Sequence, residues 1–273
     1  MSAATSPLRI GKVSLIVHDL GLVADFYQKA VGLHLLSSDG EAATLGVGDS
    51  VLLELRQDKA ARRRSPREAG LFHTAFLLPS RGDLGRWTKN AAATRAPVVG
   101  ASDHLVSEAI YLTDPEGNGV EIYSDRPKAE WRWDGGLVQM ATDALDVEAL
   151  VASGGNGAWQ GFPEGATVGH VHLQVGAIAP AEEFYAGVLG QDVTCRYPGG
   201  TFYSWGGYHH HIATNIWNSR GATVRTPSTG LSDVEILATP EALAAAAERA
   251  GHAVASPVTL LDPWGTPLTL KAG

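Results

Sequence analysis

Apolar and polar residues alternate along this chain in short runs, and the runs recur. Gly11-Lys-Val-Ser-Leu-Ile-Val17 and Gly169-His-Val-His-Leu-Gln-Val175 both have the period of two of a half-buried strand. Each run precedes a helix-forming stretch that contains Phe-Tyr and closes on glycine, Ala24 to Gly32 and Glu182 to Gly190. Glycine there supplies a helix stop. Short strands are expected after each helix. Two further segments repeat the layout. Gly70 to Leu78 reads as a strand and Arg81 to Thr94 as a helix. Ala109–Thr113 and Gly119–Ser124 then read as strands flanking the turn Asp114-Pro-Glu-Gly-Asn118. Gly230 to Leu237 reads as a strand, Pro240 to Ala250 as a helix, and Asp262-Pro-Trp-Gly-Thr266 as a turn. Proline and glycine supply the fixed and positive φ angles of such reversals.

The repeat predicts an α+β fold of four βαβββ units, spanning residues 8–57, 70–124, 168–217 and 230–271. They fall into an N-terminal pair (8–124) and a C-terminal pair (168–273), joined by a linker (125–167). The linker holds Trp131, Trp133 and Trp159, and is expected to pack across the halves or to shape a substrate entrance. Gln57 to Ala69, with Arg62-Arg63-Arg64, reads as a solvated loop in preference to an anion site.

At 273 residues and 44% hydrophobic, the chain has material for a substantial core. Its net charge of −8 argues against nucleic acid as a partner. The single cysteine, Cys195, excludes an internal disulfide and a thiolate metal cluster, and fits a reducing cytosol. Met1 to Pro7 has neither the basic nor the apolar region of a secretory leader. No apolar run reaches bilayer-spanning length. The expectation is a cytoplasmic protein with no membrane partner, with homo-oligomer formation left open.

The paired βαβββ units, Phe-Tyr helices and Asp-Pro-x-Gly-Asn turn resemble the vicinal oxygen chelate superfamily. That group includes glyoxalases, bleomycin-resistance proteins and type I extradiol dioxygenases. The resemblance covers nearly the whole chain. It is nearest to the two-domain bacterial catechol 2,3-dioxygenase branch, through the stretches Asp103 to Tyr123 and Gly207-Tyr-His-His-His-Ile-Ala213. It implies two curved mixed-sheet cups and a divalent metal. Ligands in that group come from the first strand of a unit and from a carboxylate on its last strand.

Carried onto this sequence, the first-strand position falls on Lys12, His73, His170 and Asp233. The carboxylate position falls on Glu54, Glu121 and, in the last unit, Thr269. Units one and two together would offer His73, Glu121 and Glu54 facing Lys12, and a protonated lysine has no lone pair to give. Units three and four would offer only His170 and Asp233. Units two and three would offer His73, His170 and Glu121, a two-histidine, one-carboxylate face suited to non-haem Fe(II) and O2. This third pairing is favoured. Mn, Zn and Ni are the alternative metals.

Strand parity supports the choice, because His170, His172 and Gln174 project to one face and Val171, Leu173 and Val175 to the other. An interior hydrogen-bonded imidazole is the plainer reading of His73 and of His170. Glu121, between Val120 and Ile122, is costly to bury alone, so a metal or a salt bridge is expected beside it.

The resemblance implies an extradiol ring-cleaving dioxygenase acting on a small aromatic diol and O2. Of the chain's ten histidines, three stand together at His209–His211. His210 matches the catalytic histidine, with His209 or His211 in that role if the register slips, and an alternating strand would turn those two away from it. A solvated strand start is the plainer reading of the triplet. Tyr111 matches a tyrosine that hydrogen-bonds substrate, or is a packed strand residue. His104 falls near a histidine that contacts the substrate hydroxyl, or is a loop residue. Tyr123 and His172 are outer candidates. Two rival functions remain. A glyoxalase-like isomerase or lyase needs a further ligand, and Ala213 to Trp217 holds no carboxylate. A metal-free bleomycin-resistance-like binding protein has no use for His73, His170 and Glu121 together.

Overall fold

The computed structural model describes residues 6–273; residues 1–5, part of the stretch read for a leader, lie outside the described residues. The first unit comprises β1 (Leu8–Val17), α1 (Leu20–Phe26), β2 (His34–Ser38), β3 (Ala42–Val47) and β4 (Ser50–Gln57). The second comprises β5 (Gly70–Leu77), α2 (Arg81–Thr94), β6 (Val98–Asp103), β7 (Ser107–Thr113) and β8 (Gly119–Asp125). The linker carries a small hairpin, β9 (Trp133–Asp134) and β10 (Leu137–Val138), and α3 (Val147–Ser153). The third unit comprises β11 (Thr167–Gln174), α4 (Ile178–Glu182), β12 (Asp192–Tyr197), β13 (Gly200–Ser204) and β14 (Ile212–Asn215). The fourth comprises β15 (Gly230–Ala238), α5 (Pro240–Arg249), β16 (Val258–Leu261) and β17 (Pro267–Ala272).

The α+β class and the repeat are as expected, with one correction. The fourth unit has two strands after its helix, not three. Between α5 and β16 the only bulky apolar side chain is Val254, and it is 56% exposed, so a strand there would bury nothing.

The repeated Phe-Tyr pair and the Asp-Pro turns prove to be two ends of one contact. The helices begun by α1 and α4 widen into single π turns at Tyr27–Val31 and Glu183–Val188. Gly32, at φ 106°, then ends the first of them. The Tyr27 hydroxyl donates to Asp114 Oδ2 at 3.4 Å, and the Tyr185 hydroxyl to Asp262 Oδ2 at 3.0 Å. Each aspartate also accepts two amides of its own turn, Glu116 and Asn118 in one case and Trp264 and Thr266 in the other. Burial raises both carboxyls above their usual range. These contacts tie unit one to unit two and unit three to unit four.

The sheets join the units differently. One sheet runs β12-β13-β14-β11-β5-β8-β7-β6, and the other β16-β17-β15-β1-β4-β3-β2. Units two and three therefore share a sheet, as the favoured pairing requires, and units one and four share the other. Both seams are antiparallel pairs of first strands, β5 with β11 and β1 with β15. Residues of one parity, including Leu15, Val120, Ile122, Val171, Leu173 and Ile236, lie in one continuous buried cluster with the helices. Residues of the other parity line the cups. Among the described residues no helix is long and apolar enough to cross a membrane.

Two irregularities adjust the β5–β11 seam. His172 pairs with His73 but Leu173 with Leu71, so Phe72 is an extra residue. That bulge brings Phe72 and His73 to the same cup. Val168 pairs with Phe76 and His170 with Ala75, so Gly169 is the second extra residue. A Cβ on Gly169 would stand 1.8 Å from the Tyr123 hydroxyl, so no other residue fits without displacement. Gly169→Ala should therefore lower the urea unfolding midpoint, at a cost of about 1–3 kcal/mol typical of overpacking. An unchanged midpoint would show that the seam tolerates the extra carbon.

Candidate metal centre and substrate cavity

The central side chains come from three adjacent strands. His73 on β5 lies opposite His172 on β11, and His170 opposite Ala75; Ala75 in turn neighbours Glu121 on β8. This register brings one ligand atom each of His73, Glu121 and His170 within 4.8 Å of one another. His73 Nε2 is 2.9 Å and His170 Nε2 3.2 Å from the same oxygen, Glu121 Oε2. All three residues are buried, with Glu121 and His170 each only 2% exposed.

The residues fit a divalent cation. His73 Nε2 is buried and, despite its closeness to Glu121, lacks the alignment of a hydrogen bond. His170 Nε2 hydrogen-bonds the same Glu121 oxygen, so both imidazole nitrogens converge on one carboxylate. Burial alone would raise the Glu121 carboxyl, but the His170 and His73 imidazoles outweigh it and hold it well below the usual carboxylate range. Burial pushes His170 down to about 4, against the opposing pull of Glu121, so the ring is neutral near pH 7, as a metal ligand must be. A buried carboxylate loses several kcal/mol of hydration, and a metal ion bound by all three side chains would supply positive charge against that loss. By register, the place on β14 that corresponds to Glu121 on β8 is Ala213, so the side opposite the carboxylate offers no further ligand.

A cavity of about 320 Å³ opens over this cluster. That is within the range of small-molecule pockets, roughly 300–1,000 Å³. Phe72, Phe202 and Trp217 supply aromatic wall, and Met140, Ala141 and Thr142 of the linker close one side. The linker thus forms part of the cavity wall, and its Trp131 also packs on Tyr208 from the other half. Trp159 packs on Phe162, whereas Trp133 is 39% exposed.

His104 and Tyr111 both line the cavity and touch, with His104 Nε2 2.5 Å from the Tyr111 hydroxyl. His104 Nδ1 lies 2.6 Å from the carbonyl of Ala141, which can only accept, so Nδ1 carries the hydrogen. In the neutral ring Nε2 is then the acceptor and Tyr111 the donor. Burial, and then the nearby Glu121 charge, raise the Tyr111 phenol well above its ordinary value. It stays protonated and its remaining lone pairs can receive a hydroxyl.

The triplet His209–His211 is not a solvated strand start. All three rings are buried and precede β14 in an irregular segment, so strand alternation does not apply. His210 lines the cavity, its ring centroid 4.1 Å from that of His170. Burial pushes its imidazole well below the ordinary value. His209 turns to Asp125, with Nε2 2.9 Å from Oδ1. His211 turns to the end of β13, where its Nδ1 accepts from the amide of Trp205, the residue after the strand, at 3.3 Å. His172 lines the cavity too and accepts from Asn215 Nδ2 at 3.0 Å.

Asp125 and Asn215 had not been singled out from the sequence. A signal for Asp125 was present, because Glu121, Tyr123 and Asp125 alternate on one face of β8. The wall residues Phe202, Trp217 and Met140 carry no sequence signal that separates them from ordinary apolar positions.

The motif pattern of the Glyoxalase/Bleomycin resistance protein/Dioxygenase superfamily matches residues 9–122. Catechol-2,3-dioxygenase of Bacillus subtilis (strain 168) is 36% identical over 264 residues, which cover 93% of this chain and 91% of the relative. The chain therefore belongs to that superfamily. Among solved structures, glyoxalase I from Zea mays aligns with a TM-score of 0.56 at 15% identity, covering 99% of this chain and 94% of its own. A putative dioxygenase from Bacillus subtilis aligns with a TM-score of 0.54 at 16% identity, covering 84% and 70%. Both share the fold.

If the three side chains form one site, His73→Ala and Glu121→Ala should each retain less than about a tenth of the wild-type metal after identical anaerobic loading and desalting, since losing even an outer partner costs roughly 10–100-fold in affinity. Elemental analysis reads the result. Full occupancy in both variants would place the metal elsewhere.

Proposed function

We propose that this chain is an extradiol ring-cleaving dioxygenase that opens a catechol-type ring with O2, using a non-haem Fe(II) held by His73, His170 and Glu121. One observation carries the reading. The open two-imidazole, one-carboxylate face lies beneath an aromatic-walled cavity that also presents His210, Tyr111 and His104. The likeness to Catechol-2,3-dioxygenase of Bacillus subtilis over nearly the whole chain supports it. The alanine at the place corresponding to Glu121 favours dioxygenase over glyoxalase-like chemistry, because it leaves room for two reactants rather than a fourth protein ligand.

Fe(II) held by these three residues would supply proximity for the diol and O2, and the ring itself would supply the four electrons. The protein's side chains do the rest. Phe72, Phe202 and Trp217 offer flat faces to an aromatic ring and exclude water. Tyr111, its hydrogen committed to His104, accepts from one diol hydroxyl and orients it. His210, neutral and beside His170, takes a proton from the diol and returns it during ring opening. His172 packs against Phe72 at 5.0 Å and Trp217 at 5.3 Å, steadying the wall next to His73.

Anaerobic loading with Fe(II), followed by catechol in aerated buffer, should give a yellow ring-opened product and equimolar O2 uptake. His210→Ala should keep its iron and lose roughly 10²–10⁴-fold in kcat, the usual worth of a general acid–base. A fully iron-loaded wild type that consumes no O2 with catechol or substituted catechols would overturn the proposal. Loss of iron from His210→Ala would overturn its role as a proton carrier.

A further inference from the structure

We propose that His209 and Asp125 act as a positioning relay that fixes the tautomer of His210, so that His210 presents a bare Nε2 to the cavity. The proposal rests on the dioxygenase reading for its consequence in turnover, but its geometry stands apart from the metal.

The chain of contacts starts at Asp125, at the end of β8. Its Oδ1 lies 2.9 Å from His209 Nε2 and 3.0 Å from the Tyr208 hydroxyl. A carboxylate only accepts, so both partners donate to it. His209 therefore carries its hydrogen on Nε2, and in the neutral ring its Nδ1 is an acceptor. His209 Nδ1 is 2.7 Å from His210 Nδ1, so one of those two nitrogens must donate. Only His210 can. Its hydrogen then sits on Nδ1, and Nε2 is left with a lone pair on the cavity side. The same anion orients the other branch. Tyr208 has given its hydrogen to Asp125, so the Tyr123 hydroxyl, 2.8 Å away, donates to Tyr208. One carboxylate thus sets the direction of every hydrogen bond from Tyr123 through to His210.

The surroundings hold these groups in place. His209 is wholly buried, with its ring centroid 4.0 Å from that of Tyr208 and 5.1 Å from that of Trp131. Thr194 grips its backbone carbonyl through a 2.5 Å hydrogen bond. The Asp125 side chain is 24% exposed, so the relay ends at the solvent boundary. A bare Nε2 is the form a proton acceptor needs, and a wrongly protonated ring would face the diol with a hydrogen instead. His209 and Asp125 touch neither the cavity nor the reacting atoms. They act through His210.

The direct test is the nitrogen shift pattern of histidine-labelled protein, read by long-range proton–nitrogen NMR on the metal-free and zinc-loaded forms. The expected wild-type result is His210 protonated on Nδ1 and His209 on Nε2. In Asp125→Asn, whose amide can either donate or accept, His210 should move toward a mixture of tautomers. Kinetics on iron-loaded protein supply the second readout. His209→Phe keeps the aromatic packing and should lower kcat by roughly 10–100-fold with little change in KM for catechol. Should His209→Phe fail to fold, Asp125→Asn supplies the same split. A wild-type His210 protonated on Nε2, which a doubly protonated His209 would impose, overturns the proposal. So does an unchanged tautomer and kcat in the variants. A wild type inert toward catechol would instead count against the dioxygenase reading, while the NMR result would still decide the relay.

Discussion

The antiparallel pairing of β5 with β11 is the constraint on which the site depends. It brings first strands from the two halves of the chain side by side, with His73 opposite His172 and His170 one step along, next to the strand that carries Glu121. Register is everything here, since a slip of one residue would send the ligands into the core and the core residues into the cup. Apolar burial on the reverse face sets that register. Val171, Leu173, Leu71, Phe76, Val120 and Ile122 are all buried there, at about 1.5–3 kcal/mol for each large side chain. A slipped strand would forfeit that burial. On the cup face Glu121 is the most demanding residue, because a buried charge needs a positive partner.

The second sheet shows the same architecture solved with different chemistry. Its seam, β1 with β15, puts Lys12, Glu54 and Asp233 where His73, Glu121 and His170 stand in the first. The Lys12 ammonium pairs with Glu54, which also binds Arg56 Nε at 2.5 Å. Burial works to raise the Glu54 carboxyl, but Lys12 and Arg56 outweigh it and keep it ionised. Asp233, raised by burial, accepts from the Thr269 hydroxyl at 2.8 Å. A covalently attached cation therefore satisfies the carboxylate in one cup, and the other has no lysine or arginine among its lining residues. Two cups of one backbone design therefore present different chemistry.

Much of this was legible in the sequence because periodicity and chemistry point the same way. The alternation in β1 and β11, the Phe-Tyr helices and the Asp-Pro turns mark the repeat, and parity places His170 and Glu121 on polar faces. Pairing of units was legible only through the ligand count, since His73, His170 and Glu121 complete a set in one arrangement alone. What escaped the sequence depends on irregular backbone. The bulges at Phe72 and Gly169, the buried bend that carries His209–His211 and the short fourth unit have no period to read. The aromatic wall escaped because an apolar residue facing a cavity looks, in sequence, like one facing the core. Asp125 was the recoverable case, two residues beyond Tyr123 on an alternating strand.

Whether three side chains share one ion can be read from iron-edge anomalous diffraction of Fe(II)-loaded crystals. One strong peak should appear, bonded at once to His73 Nε2, His170 Nε2 and a Glu121 oxygen, with the remaining positions turned toward His210 and the aromatic wall. A peak lacking any one of these three ligands, or iron bound only in the cup of Lys12, would contradict it.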